Sequence, residues 1–349
     1  MKQHLFSALM FFGTLTMLGQ EKAEDLRFDN RLEPITKDHI FYDSDFFHWG
    51  GSIIRDADGT YHLFYSRWRM DFSAWLTHSE IARAVSDDPS GPWEYQETVL
   101  KGRGAGHWDA ITAHNPKIKF FNGTYYLYYI STNPGHLNFT EEDLEATQGK
   151  SLEESPLRKL LRENQRSGVA ISKSLNGPWH RLEKPIVEPS GPIETLAVNP
   201  AIAQGSDNRF YLIVKGDKPQ VEGFVRNQAI AISGAPEGPF AVQPRAVMDK
   251  RDTEDMSLWF DEQRNRFYAI YHAHEFIGLL TSKRGVVWKN AEHAVVLNNT
   301  IMMKDGSILS PDRMERPFVY LEDGQPKTLC LAVKSGNSAF TVFLPIKQK

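Results

Sequence analysis

Cysteine is nearly absent from this chain: Cys330 is the only one in 349 residues. A lone cysteine excludes an intrachain disulfide and a cysteine-rich metal site. It sits in the apolar run Leu329-Cys330-Leu331-Ala332-Val333 and reads as a core residue. An excess of one charge is also lacking. Lys and Arg number 40 against 44 Asp and Glu, a formal net charge of −4, and the basic residues are scattered. That balance gives no reason to expect nucleic acid. Helical periodicity is scarce, and the one long apolar run lies at the N-terminus. There Lys2, the apolar stretch from Leu5 to Leu18 and the small Gly19 precede Gln20-Glu21-Lys22. This is the layout of a secretory signal peptide over residues 1–20. The stretch is too short to span a membrane, and no cysteine follows it to carry a lipid. The expectation is a secreted or periplasmic protein without a membrane anchor, its oligomeric state open.

Strand signal is abundant, and it repeats. Gly91-Pro92-Trp93, Gly177-Pro178-Trp179 and Gly238-Pro239-Phe240 end similar phrases, with a faded copy at Gly285-Val286-Val287-Trp288. Upstream of each lies a strand–turn–strand pattern. The clearest copies turn at Asp58-Gly59, Asn122-Gly123 and Asp323-Gly324, dipeptides that suit tight hairpins. The hairpins begin at Gly51, Pro116, Pro200, Met256 and Pro317, which are 65, 84, 56 and 61 residues apart. One supersecondary unit reused at such a period implies a repeat architecture. Four strands per unit and five units predict an all-β fold: a five-bladed β-propeller in one domain over residues 26–349. The segment near Arg27 to Tyr42 is a candidate to close the ring. The longest gap holds a predicted helical insertion at about 138–166, after the second hairpin. Thr140 stands there as N-cap before Glu141-Glu142-Asp143, and Leu157, Leu160 and Leu161 fall at helical spacing.

In a propeller the innermost strands converge at one mouth, so residues just before each hairpin meet in space. Those positions are His48-Trp49-Gly50, His114-Asn115, Val198-Asn199, Glu254-Asp255 and Glu315-Arg316, with Asp45, Trp108-Asp109 and Glu194 upstream. Each group is polar where a strand running into a core should be apolar. Carboxylates ringed by tryptophan, histidine and arginine fit carbohydrate chemistry, because tryptophan stacks on sugar rings and paired carboxylates break glycosidic bonds. The expected catalytic set is Asp109, Glu194, Glu254 and Asp255: acid from Glu194 or Glu254, base or pKa tuning from Asp109 and Asp255. The expected binding set is Asp45, His48, Trp49, Arg67, His114, Asn115, Asn199, Lys215, His272, Glu315 and Arg316. No metal site is expected. His272 and His274 alternate on one strand but lack an evident third ligand, and nothing in the sequence supports a structural calcium. No cofactor is required.

The stretches WGGSIIRDADGTYHLFYS (49–66) and AHNPKIKFFNGTYYLYYIS (113–131) resemble the first two blades of family 43 glycoside hydrolases. AVNPAIAQGSDNRFYLIVKGD (197–217), QAIAISGAPEGPF (228–240) and the phrase A-x-x-x-x-P-x-G-P-[WF] at Ala84 to Trp93 and Ala231 to Phe240 look closer to family 117. The likeness covers roughly residues 40–345. It implies a five-bladed propeller and an exo-acting glycoside hydrolase that releases a terminal sugar, with inversion, from a plant or algal oligosaccharide. Galactose or anhydro-galactose is favoured over arabinofuranose or xylose. The motifs also depart from the families. Gly50-Gly51 stands where family 43 carries an Asp-Pro with the catalytic base, and Asn115-Pro116 and Asn199-Pro200 occupy further Asp-Pro positions. An amide cannot act as a general base. These losses leave open a catalytically silent carbohydrate-binding propeller. A propeller phosphorylase is a further alternative, with Arg67, Arg69 and Arg316 to hold phosphate or, instead, to grip an anionic sugar.

Overall fold

The computed structural model describes residues 24–348 apart from 70, 136, 147–155 and 223–224, so the expected signal segment lies outside the described residues. The chain is mostly β. After the short β1 (Ile40–Phe41), β2 (Phe47–Arg55), β3 (Tyr61–Trp68), β4 (Glu80–Ser86) and β5 (Glu94–Leu100) form an antiparallel sheet in chain order. β6 (His114–Phe121), β7 (Thr124–Ser131), β8 (Arg166–Ser172) and β9 (His180–Arg181) follow the same path. So do β10 (Glu194–Gln204), β11 (Phe210–Asp217), β12 (Arg226–Ser233) and β13 (Ala241–Met248). A parallel bridge between Ala197 and Arg166 joins these last two groups. β14 (Glu254–Asp261), β15 (Arg266–Ala273), β16 (Phe276–Ser282) and β17 (Lys289–Asn298) form the next sheet. A small hairpin of β18 (Ile301–Met302) and β19 (Ile308–Leu309) precedes β20 (Arg313–Glu322), β21 (Gln325–Ser335) and β22 (Ser338–Pro345).

The last sheet is completed by the start of the chain. β1 pairs antiparallel with β22, Ile40 opposite Val342 and Phe41 opposite Thr341. The sequence-based expectation that the segment near residues 27–42 adds a strand is met at this pairing.

The Gly-Pro-Trp phrases fall between the third and fourth strands of their groups, where Gly91, Gly177 and Gly238 have φ of 96°, 81° and 85°. Trp93 and Phe240 then turn inward and are buried. Inner strands are buried almost throughout, whereas β5 and β13 are largely exposed or half-buried. Only strands covered on both faces keep such continuous apolar runs.

The core lies between neighbouring sheets. Phe64 and Ile81 pack with Ile118 and Leu127. Tyr128 and Val169 pack with Ile202 and Leu212. Ala203 and Ile213 pack with Leu258 and Phe267, and Ile270 and Leu279 pack with Val319 and Leu331. Phe318, Phe343 and Cys330 then pack against Ile53 and Leu63, so the last sheet meets the first. Burial pushes the Cys330 thiol up to about 12, in keeping with an inert core residue.

Among the described residues, the long connection between β7 and β8 holds two short helices, α2 (Glu141–Glu145) and α3 (Pro156–Glu163); between β3 and β4 lies α1 (Trp75–His78). Thr140 caps α2 as expected, accepting from the Asp143 amide at 3.1 Å. Residues 147–155 of the expected insertion lie outside the described residues. On α3, Leu161 is fully buried against Leu76 of α1.

Candidate active site at the converging strand ends

The first strands of the five groups share one local distortion. Each ladder shifts register within a few residues of its leading end: between Trp49 and Ser52, His114 and Lys117, Val198 and Ala201, Glu254 and Ser257, and Glu315 and Phe318. One residue in each shift is left-handed: Gly50, Asn115, Asn199, Asp255 and Arg316, with φ of 65°, 54°, 56°, 59° and 57°. Asn and Asp tolerate this region, whereas an arginine there is strained. A bulge of this kind re-aims side chains, and the result is two tiers.

The lower tier is a ring. Asn115 Nδ2 donates to Asn199 Oδ1 at 2.6 Å, and Asn199 Nδ2 donates to Asp255 Oδ1. Arg316 Nη1 donates to the same oxygen at 2.5 Å. Gly50 completes the ring, because a Cβ there would stand 2.9 Å from the Arg316 Cβ. The glycine found where a catalytic Asp was sought therefore makes room for an arginine. Lys117 lies beside the void under this ring with its Nζ 5.2 Å from the Phe318 ring, and burial pulls its ammonium down to about 8.

A depressed lysine has a definite sign in stability. From about 8 up to the unfolded value near about 10.4, the unfolded chain binds more protons than the folded one. Stability therefore rises with pH across that window, and below it the buried cation costs its full penalty. The urea midpoint of the native protein, compared with Lys117→Met, is expected to climb between pH 8 and about pH 10. Parallel curves for the two proteins would contradict this account of Lys117.

The upper tier is formed by the preceding residues: Trp49, His114, Val198, Glu254 and Glu315 all line one cavity of about 230 Å³ above the ring. One side of that cavity is aromatic. Trp68, Phe72 and Trp75 join Trp49 there, and Trp75 stacks on His114 at 5.2 Å and 28°. The turn that presents Phe72 and Trp75 is set by Asp71, whose carboxylate caps the amides of Ser73 and Ala74. His114 shares a 2.7 Å hydrogen bond with the Ser79 hydroxyl. Burial, then the charges of Arg316 and Lys215, hold its pKa well below the usual imidazole range, so the ring is neutral.

The other side is charged. Lys215 Nζ donates to Glu254 Oε2 at 2.5 Å and lies 3.5 Å from Asp255 Oδ1. Burial opposes the Glu254 charge, but Lys215, then Arg226 and Arg316, outweigh it and hold the carboxyl well below its usual range. Glu315 accepts from Arg313 Nη2 at 2.6 Å. From α3, Arg158 and Arg162 reach the same cavity, and Arg162 with Arg226 grips Asp217, each at 2.8 Å.

Several residues expected at the mouth stand elsewhere. Asp109 is fully buried, with Arg103 Nε on Oδ1 at 2.5 Å and Arg181 Nη1 and Tyr129 Oη on Oδ2 at 3.1 and 2.7 Å. It is an internal ion-pair node and does not line the cavity. Glu194 is exposed at the start of β10, outside the cavity lining. Asp45 is exposed in a turn, its amide on Asp43 Oδ1 at 2.8 Å. His48 points away from Trp49 because strand neighbours face opposite sides; it packs on Phe41 and Tyr65, and burial brings its pKa down to about 4. Arg67 is held by Glu80 at 2.8 Å and sandwiched by Phe46 and Tyr95, and Arg69 also lies over Phe46. Asp255 belongs to the ring and lines only the narrow void beneath the cavity.

The sequence reading missed Trp68, Phe72, Trp75, Arg158, Arg162, Arg226 and Arg313. The end of a second strand and the start of a third lie at the same end of a sheet as the start of the first. Trp68, Lys215 and Arg226 occupy such positions, so that rule could have found two of the seven.

Among the described residues one group has metal-ligand geometry: single ligand atoms of Asp255, His272 and Glu315 lie within 4.8 Å of one another. His274 is not part of it and faces Asp252 at 3.5 Å. Asp255 Oδ2 and His272 Nδ1 have no hydrogen-bond partner. Arg316 and Arg313 already neutralise the two carboxylates, which disfavours an additional cation there.

No helix among the described residues is long and apolar enough to cross a membrane. No protein-family model and no curated protein matches the chain. Solved structures do. A family 117 glycoside hydrolase of the marine bacterium Zobellia galactanivorans superposes with a TM-score of 0.62 at 15% identity, over 93% of this chain and 91% of that one. An endo-arabinase of Bacteroides thetaiotaomicron gives 0.56 at 13%, over 87% and 95%. A thermostable family-43 glycoside hydrolase gives 0.58 at 13%, over 88% and 96%. At such identities the likeness establishes the fold this chain shares with those hydrolases, along nearly the whole length of each.

Proposed function

We propose that residues 26–349 form a single five-bladed propeller, exported by its N-terminal segment, that acts as an exo-glycoside hydrolase at the mouth cavity. The blades are the sheets led by β2, β6, β10, β14 and β20. The core clusters that link each sheet to the next, and the last to the first, support closure of the ring. The helices of the β7–β8 connection form the rim. One observation carries the functional reading: converging strands deliver two carboxylates, Glu254 and Glu315, and an aromatic wall to one small cavity with a closed floor.

Glu254, kept ionised by Lys215, is suited to activate water. Glu315 is suited to be the acid. It is 5% exposed, while the side chain of the Arg313 that neutralises it is 51% exposed. A substrate that draws Arg313 away leaves the Glu315 carboxyl open to the leaving oxygen. Asp255 sits too deep to touch a sugar and positions Lys215 and Arg316. Terminal galactose-type sugars remain the favoured substrates, through the resemblance of the repeats.

A second reading, a carbohydrate-binding propeller without turnover, is favoured by the amides at Asn115 and Asn199 and by the ion pairing of both cavity carboxylates. Incubating purified protein with a panel of plant and algal oligosaccharides, with and without phosphate, separates these readings. Release of a monosaccharide without phosphate supports the hydrolase. Binding with no release supports the silent reading, and release only with phosphate supports a phosphorylase.

A further inference from the structure

Among the described residues, cationic side chains outnumber the carboxylates that line the cavity. Six cationic side chains line it, Arg158, Arg162, Lys215, Arg226, Arg313 and Arg316, against the carboxylates of Glu254 and Glu315. Two more carboxylates lie just behind: Asp217 accepts from Arg162 and Arg226, and Asp255 from Arg316. Among the described residues these are six cations to four anions. His114 registers the same field, since Arg316 and Lys215 both act against its protonation. Arg158, exposed on α3 at the rim, has no carboxylate partner among the described residues. Excess charge in a confined, partly desolvated cavity is costly unless a ligand balances it.

The excess is also placed asymmetrically. Trp49, Trp68, Phe72 and Trp75 come from the β2–β4 segment, while the cations come from other elements: α3, β11, β12 and β20. Arg313 bridges the two faces, its guanidinium 5.5 Å from the Phe72 ring. A sugar stacked on the aromatic face directs its substituents at the guanidinium groups, which are the donors best matched to planar or tetrahedral oxyanions.

We propose that the glycan bound in this cavity bears an anionic group, a uronic carboxylate or a sulfate ester, held by Arg158 and Arg313. This rests on reading the cavity as the carbohydrate site. It also supplies the event that frees Glu315, because an anion that recruits Arg313 removes the counter-charge of that carboxyl.

The test is titration of the full-length protein with galactose, galacturonate and galactose 6-sulfate, followed by calorimetry at low and moderate salt. At least one anionic sugar is expected to bind about tenfold or more tightly than galactose, a difference of about 1.4 kcal/mol. The preference is expected to shrink as salt is added. Arg158→Glu, a surface change that leaves the core untouched, is expected to abolish it. The tighter of the two anionic sugars identifies the source of the charge. Galactose binding as tightly as both anionic sugars would overturn the proposal. So would an undiminished preference in Arg158→Glu, no binding of either anionic sugar, or glycan cleavage that requires inorganic phosphate. Anionic preference without cleavage of any glycan would sink the hydrolase reading and leave this proposal standing. Cleavage of neutral oligosaccharides without the preference would do the reverse.

Discussion

Glu254→Gln is expected to lower turnover by about 10²–10⁴-fold, in a protein that melts within a few degrees of the native one. The amide keeps the volume of the side chain and an oxygen for Lys215, which now sits at 2.5 Å. Lys215 is not stranded, because Asp255 remains 3.5 Å away. What disappears is the negative charge that would draw a proton from water. The pH profile follows from the same geometry. Burial favours the neutral acid, but Lys215 and its neighbours more than offset it, so Glu254 stays ionised through the mildly acidic range. An acid limb of kcat/KM near pH 4 to 5 should therefore be absent from the contribution of this residue. Sugar release and a thermal melt, measured on the same preparation, check both parts.

Asp109→Ala should behave in the opposite way: a large loss of stability with turnover retained by the molecules that remain folded. Asp109 is completely buried, and its two oxygens receive Arg103, Arg181 and Tyr129. Removing it leaves two guanidinium groups facing each other at the contact between β7, β9 and the loop before β6. Breaking a buried pair in this manner costs about 3–5 kcal/mol. Urea unfolding monitored by tryptophan fluorescence is expected to show a midpoint shift of that size. A stability change below about 1 kcal/mol together with lost turnover would restore Asp109 to the catalytic set.

These two residues show how far the sequence could be read. The strand order followed from turn chemistry and period, because Asp58-Gly59, Asn122-Gly123 and Asp323-Gly324 each force a tight hairpin between apolar runs. The cavity tier followed too: Trp49, His114, Glu254 and Glu315 were all marked by polarity or aromaticity just before a strand. What failed was distance. Asp109 and Glu194 lie five residues before His114 and Asn199, and across five residues the chain can turn away from the mouth. One did so into the core and the other into solvent. The alternation of a strand also separates His48 from Trp49, a distinction that adjacency in sequence hides. Arg158 and Arg162 could not be placed from sequence at all. Their position depends on α3 docking through Leu161 onto Leu76, a contact between segments of no shared periodicity.

The Asn and Gly substitutions gain a physical meaning in the structure. Gly50, Asn115, Asn199, Asp255 and Arg316 share one left-handed backbone position, and the side chains of the last four make one hydrogen-bonded floor. A charged floor centred on Asp255 and Arg316 replaces the ring of acids that the family resemblance implies. The chemistry then falls to the tier above it.

The most direct test of this account compares Glu254→Gln with Glu194→Gln on whichever oligosaccharide the native protein cleaves. Steady-state kcat is expected to fall by about 10²-fold or more in the first and to stay within about twofold of the native value in the second. Full activity in Glu254→Gln, with loss confined to Glu194→Gln, would contradict it and move the catalytic centre away from the mouth cavity.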